Sequence, residues 1–111
     1  MNDLFARLLP VFLMEAEQRL EEMDDALGAL AKDPVDAAAC LRLARALHTI
    51  KGNAAMMGLE PLADAAHAAE QLAPGHVCGP ATLAALRDAR AELDGLVEDL
   101  AASAAITTTT E

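Results

Sequence analysis

Apolar residues recur three and four positions apart through nearly the whole of this chain, and nowhere do they alternate singly with polar ones. At about 100° per residue that spacing gathers them onto one stripe of an α-helix, whereas a half-buried strand needs a period of two. The fold class follows: all-α. Leu13, Ala16, Leu20, Met23, Leu27 and Leu30 mark one stripe, and Leu43, Leu47, Ile50, Ala54 and Met57 a second. Leu62, Ala65, Ala69 and Leu72 mark a third, and Leu83, Leu86, Ala89, Leu93, Val97 and Leu100 a fourth. Four amphipathic helices with short connections predict an antiparallel four-helix bundle.

Punctuation residues set the expected ends. Asn2 is placed to cap a short additional N-terminal helix over residues 3–9, with Pro10 breaking it or opening the next. Asp33-Pro34 reads as an N-cap followed by Pro at the first helical position, so the second core helix is expected over residues 34–57. Gly58 then ends it in a left-handed C-cap. Pro61 opens the third helix, residues 73–79 (APGHVCG) form a turn-rich loop, and Pro80 starts a last helix to about Ala102. One domain over residues 1–102 is expected, with 103–111, ending ITTTTE, as a tail or the start of a linker.

Composition narrows the function. A net charge of −10 argues against nucleic acid and against anionic membrane surfaces, both of which demand basic patches. No apolar run approaches the roughly 18 residues of a membrane span, and no signal-peptide pattern opens the chain. The expectation is a cytoplasmic domain without direct membrane contact. Hydrophobic residues make up 54% of the chain but only two are aromatic, so the core must be thin and closely packed. Cys40 falls one turn before Leu43 and reads as a small buried hydrophobe, Cys78 as a loop thiol; a reducing compartment suits both.

The stretch 48–58, HTIKGNAAMMG, carries the chemistry. His48 lies about 140° from the second stripe, on the watered side. Lys51 follows at i+3 and Gly52 at i+4, the two positions that neighbour a helical side chain. A Gly inside a helix costs about 1 kcal/mol relative to Ala. Beside a histidine it leaves bare backbone, giving clearance for an incoming phosphoryl group. The plainer reading is a solvated histidine with a chance neighbour.

The third helix offers His67 and Glu70, three apart and on one face beside its core stripe. A carboxylate that accepts the Nδ1 proton of an imidazole fixes the ring and leaves Nε2 with its lone pair outward. Glu70 is the residue to bring to His48, with Lys51 offsetting phosphoryl charge and His67 bridging within the cluster. Each of these also reads as an ordinary helix-surface group. A metal site is the rival use of the same residues. Di-metal bundles need Glu on two helices and Glu-x-x-His on two more, and a single reversed His-x-x-Glu falls short. His76-x-Cys78 is likewise too sparse for zinc. No metal is expected.

The run from His48 to Gly52, followed by Gly58-Leu59, resembles the histidine-containing phosphotransfer (HPt) domain, and within it the N-terminal phosphotransfer domain of chemotaxis kinases of the CheA type. The segment FLMEAEQRLEEMDDAL is similar to the acidic helix that precedes the site in those kinases, and His67-x-x-Glu70 matches their supporting pair. The resemblance spans nearly the whole chain. It implies that His48 is the phosphoacceptor, Glu70 the partner of its far nitrogen, and Lys51 and His67 a supporting polar shell. It implies a histidine kinase catalytic domain as donor and a response regulator receiver, CheY-like or CheB-like, as acceptor. ATP and magnesium would sit in that separate kinase domain, with no cofactor in this one. By the same resemblance the domain is a monomeric carrier and substrate within two-component signalling, part of a protein histidine kinase rather than a catalyst by itself. Two departures stand out: the Pro74-Gly75 loop replaces a helical end that is often longer and basic, and no kinase, dimerisation or coupling domain follows. A fragment of a larger kinase is expected. The alternatives are a free-standing phosphorelay shuttle between receivers and, in another class, a helical interaction domain that is never phosphorylated.

Overall fold

The computed structural model describes residues 3–109, and of residues 105–109 the backbone alone; the cap expected at Asn2 and the final residues 110–111 lie outside it. Four helices follow in order: α1 (Asp3–Lys32), α2 (Ala37–Met56), α3 (Glu60–Leu72) and α4 (Pro80–Thr109). Each packs against its neighbours in sequence, and α1 closes against α4, so the helices form a ring with no diagonal pair in contact. The short links at residues 33–36 and 57–59 force successive helices to run back along one another, the up-down arrangement of an antiparallel bundle. At a rise of about 1.5 Å per residue, the 30-residue α1 and α4 are each about 45 Å long. They set the 50 Å long axis of the molecule.

The expected short helix over residues 3–9 is not separate. It is the first two turns of α1, which runs unbroken through Pro10. Proline in a helix interior forfeits one hydrogen bond and costs about 3 kcal/mol. Here the apolar register carries across it: Leu9 and Leu13 pack against the core on either side, and Phe12 is buried one turn before Ala16. Ending the helix at Pro10 would throw Leu9 out of phase with that stripe.

The start of α2 also differs from the expected one. Asp36, not Asp33, is the N-cap, and its side chain accepts from Ala39 N at 3.0 Å. Asp33 instead closes a turn around Pro34, accepting from Val35 N through Oδ1 at 3.2 Å and from Asp36 N through its carbonyl at 3.1 Å. The Pro34 carbonyl is thereby free to accept from Cys78 N at 2.8 Å, which joins the two loops at this end of the bundle. A helix begun at Pro34 would have committed that carbonyl to its own first turn. The other end of α2 is as expected. Gly58 sits at φ 72°, its N–H reaches Ala55 O at 3.1 Å, and Leu59 N reaches Ala54 O at 2.9 Å. That pair of bonds is a Schellman cap.

Apart from Phe12, the core is built of aliphatic side chains with Met23 and the two cysteines. Leu20, Met23, Leu27 and Leu30 of α1 meet Leu43, Leu47 and Ile50 of α2, with Leu62 of α3 and Leu86, Leu93 and Val97 of α4. Ala65 is half-buried against the core as expected, Ala66 joins it fully buried, and Leu72, expected in the stripe, is 42% exposed. Leu62, Ala66 and Ala69 are the fully buried positions of α3, and Glu70, next to Ala69, lies on the α2 side. Cys78 is a loop residue but only 2% exposed, closing the end of the core. The last helix continues past Ala102 to Thr109. Arg90 ties α4 to α1 at the surface: its Nη2 donates to Asp24 Oδ2 at 2.9 Å and its Nε lies 2.9 Å from Asp24 Oδ1.

Candidate functional site

The face shared by α2 and α3 holds the histidine. Burial of Leu43, Leu47 and Ile50 fixes the rotation of α2, and that rotation leaves His48 pointing outward with 71% of its side chain exposed. On α3, burial of Ala66 and Ala69 places Glu70 at the seam with α2, where its side chain is 25% exposed. The carboxylate bridges the seam. Oε2 lies 3.0 Å from Nδ1 of His48, and Oε1 lies 2.7 Å from Nζ of Lys51.

A carboxylate only accepts, so the His48–Glu70 contact requires the proton on Nδ1. The neutral ring then presents an unprotonated Nε2 to solvent. The Lys51 ammonium is the larger influence on the carboxylate. Its hydrogen bond, helped by that from His48, holds the Glu70 carboxyl below its ordinary value against the opposing effect of partial burial. Glu70 is therefore ionised throughout the neutral range, and it orients the imidazole as a fixed charge.

His67 stands nearer the edge. Its side chain is 57% exposed and its Nδ1 is 3.9 Å from Glu70 Oε1, too long for a hydrogen bond. Gln71 Nε2 donates to its Nε2 at 3.3 Å. The structure thus joins His48, Lys51 and Glu70 directly and leaves His67 as a peripheral neighbour of the carboxylate. His76 lies in the α3–α4 loop, where it lines a separate depression over the start of α2 with Cys40, Leu41 and Ala44, and it forms no ion pair with Glu70.

Gly52 is exposed one turn beyond His48, and a Cβ built on it would meet nothing within 4 Å. The packing of the chain itself does not demand glycine there. Side chains on a helix lean toward its N-terminus, so a side chain at 52 would lie over the turn that carries His48. Beside it Asn53 Nδ2 donates to Glu15 Oε2 at 3.2 Å, which pins α2 to α1.

Sequence reasoning missed one part of the site. A shallow open depression beside the imidazole is lined by Ala44, Arg45, His48, Thr49 and Glu70. Arg45 lies at i−3 from His48, the mirror of Lys51 at i+3, and that spacing was the available signal. Among the described residues no group of three His, Cys, Asp or Glu side chains is arranged to hold a metal ion. Among them, too, no helix is long and apolar enough to cross a membrane.

Comparison with known proteins places this geometry in context. The Hpt domain family matches residues 7–103. The chemotaxis protein CheA of Treponema pallidum is 33% identical over 93 residues, covering 84% of this chain and 10% of that protein. CheA of Listeria monocytogenes is 37% identical over 65 residues and CheA of Halobacterium salinarum 39% over 64, covering 59% and 58% of this chain and 10% of each relative. The chain therefore spans about a tenth of the length of the curated relatives it matches. No solved structure gives a significant match.

Proposed function

The chain belongs to the Hpt domain family, and from that premise we propose that it is a histidine phosphotransfer module of two-component signalling, the phosphotransfer part of a CheA-like chemotaxis kinase. His48 is the phosphoacceptor. The observation that carries this reading is the contact of Glu70 Oε2 with Nδ1 at 3.0 Å on a ring otherwise open to solvent.

In the forward step the Nε2 lone pair attacks the γ-phosphorus of ATP held by a separate histidine kinase catalytic domain. The Nε2–P bond forms, the bond from phosphorus to the bridging oxygen breaks, and ADP leaves with the electron pair. Because Nδ1 keeps its proton, the phosphorylated ring carries positive charge, and the Glu70 carboxylate faces that charge. In the return step an aspartate oxygen of a response regulator receiver attacks phosphorus, and the electron pair goes back to Nε2. Lys51 anchors the Glu70 carboxylate that orients the ring, and Gly52 leaves the approach over the ring clear. This domain positions a nucleophile; nucleotide binding and metal chemistry belong to the donor domain.

The similarity to CheA proteins supports the chemotaxis assignment over a free-standing shuttle. The test is incubation of the chain with a CheA kinase domain lacking its own phosphotransfer domain, and labelled ATP. Acid-labile, base-stable label that chases onto a CheY-like receiver is the expected result. Absence of label with an active kinase domain would end the reading.

A further inference from the structure

Charge is distributed unevenly in this protein. The chain has a net charge of −10, yet residues 37–56, the whole of α2, contain Arg42, Arg45 and Lys51 and no Asp or Glu. The helix that carries His48 is thus a basic strip on an acidic molecule. Its three cations are not equivalent. Lys51 is bound to Glu70 at 2.7 Å, so its charge is already matched within the protein. Arg42 and Arg45 are exposed and take part in no hydrogen bond or ion pair among the described residues. Only Arg45 lines the depression that His48 and Glu70 share.

A phosphoryl group brings a charge of about −2 and three acceptor oxygens. The Lys51–Glu70 pair offers it no net positive charge, and Glu70 itself repels it. A guanidinium left unpaired at the rim of the same depression presents a planar fork of donors suited to phosphoryl oxygens. We propose that Arg45 is a positioning residue for phosphoryl transfer, engaging the phosphoryl oxygens as the group arrives on and leaves Nε2 of His48. The proposal rests on His48 as the phosphoacceptor and adds the cation that the resting pair lacks.

The test uses the intact chain and phosphoramidate as a small phosphodonor, so that no protein docking is involved. Nε2 attacks phosphorus, the P–N bond of the donor breaks, and ammonia leaves. Arg45→Ala is expected to slow labelling of His48 by about tenfold or more, the loss typical of a hydrogen bond to a charged group. Arg45→Lys keeps a point charge without the fork and should recover part of the rate. Arg42→Ala removes the same charge from the same helix outside the depression and should stay within about twofold of the parent. The Arg45→Ala defect should persist at 0.5 M salt, where long-range attraction is screened. Equal effects of Arg42→Ala and Arg45→Ala would overturn the proposal in favour of general attraction. Slowing seen only with protein donors would overturn it by assigning Arg45 to partner docking. An unlabelled parent chain would instead end the phosphoacceptor reading itself, whereas a labelled parent with an unaffected Arg45→Ala ends only this one.

Discussion

Glu70 Oε2 stands 3.0 Å from Nδ1 of His48, across the seam between two helices and 22 residues away in sequence. The contact fixes which nitrogen of an exposed imidazole carries the proton. Everything expected of the site depends on that choice.

Replacing His48 with Gln should abolish phosphoryl labelling while leaving the fold intact. The side chain is 71% exposed and buries little, so the melting temperature should stay within about 2 °C of the parent, as for surface substitutions away from special features. Label retained on His67 or His76 in this variant would displace His48 from the centre.

Glu70→Ala should release the ring from one tautomer and slow phosphorylation, because less of the histidine presents Nε2 in a fixed orientation. The stability cost should be at most about 1 kcal/mol, since the contacts lie at a largely solvated seam. Glu70→Gln keeps an acceptor oxygen and should fall between. Nitrogen chemical shifts of the His48 ring read the tautomer directly, and an unchanged ratio in Glu70→Ala would show that something else orients the ring.

The Glu70 carboxyl is held below its ordinary value, chiefly by the Lys51 hydrogen bond. A carboxyl depressed in the folded state contributes stability that is present above its unfolded value, near 4.3, and is lost as pH falls through the folded value. The difference in melting temperature between the parent and Glu70→Gln should therefore be constant above about pH 5 and shrink steadily toward pH 3. A difference that grew on acidification would reverse the sign of the argument.

Gly52 and Gly58 should respond oppositely to alanine. An added methyl group would meet no neighbouring part of the protein within 4 Å at either position, so conformation alone decides. Gly52 is helical, and Gly52→Ala should stabilise by up to about 1 kcal/mol while slowing transfer from a kinase domain. Gly58 sits at φ 72°, and Gly58→Ala should destabilise by about 1–2 kcal/mol with transfer per folded molecule preserved. Denaturant unfolding beside single-turnover labelling separates the two.

Leu47 is fully buried one residue before the exposed His48. Leu47→Ala should cost about 2–5 kcal/mol through lost burial and the cavity left behind. At temperatures where the variant remains folded, His48 should still be labelled. Complete loss of labelling in a folded Leu47→Ala would mean that the core packing, and not Glu70 alone, sets the ring's position.

Much of this protein was legible in the order of its residues. The period of the apolar positions determined the all-α class, the four core helices and the outward face of His48, because helical geometry maps spacing onto direction without reference to any other element. Gly58 as a left-handed cap was equally local. The spacing of Lys51 from His48, and of Glu70 from His67, was visible for the same reason. What tertiary structure decided was every choice between near-equal local options. Asp33 and Asp36 are both competent caps, and the loop-to-loop bond from Cys78 N to Pro34 O settled the matter for Asp36. Pro10 is a breaker by itself, and the core contacts of Leu9, Phe12 and Leu13 carried α1 through it. On α3 the core took in Ala66 beside the expected Leu62, Ala65 and Ala69 and left Leu72 outside, because the helix ends where the bundle no longer covers it. The packing of α3 on α2 set Glu70 against both His48 and Lys51, matched the lysine's charge, and left Arg45 as the unpaired cation of the depression. Spacing along one helix fixes which way a side chain points; which partner it meets depends on how far a second helix is rotated, and only the shared core determines that.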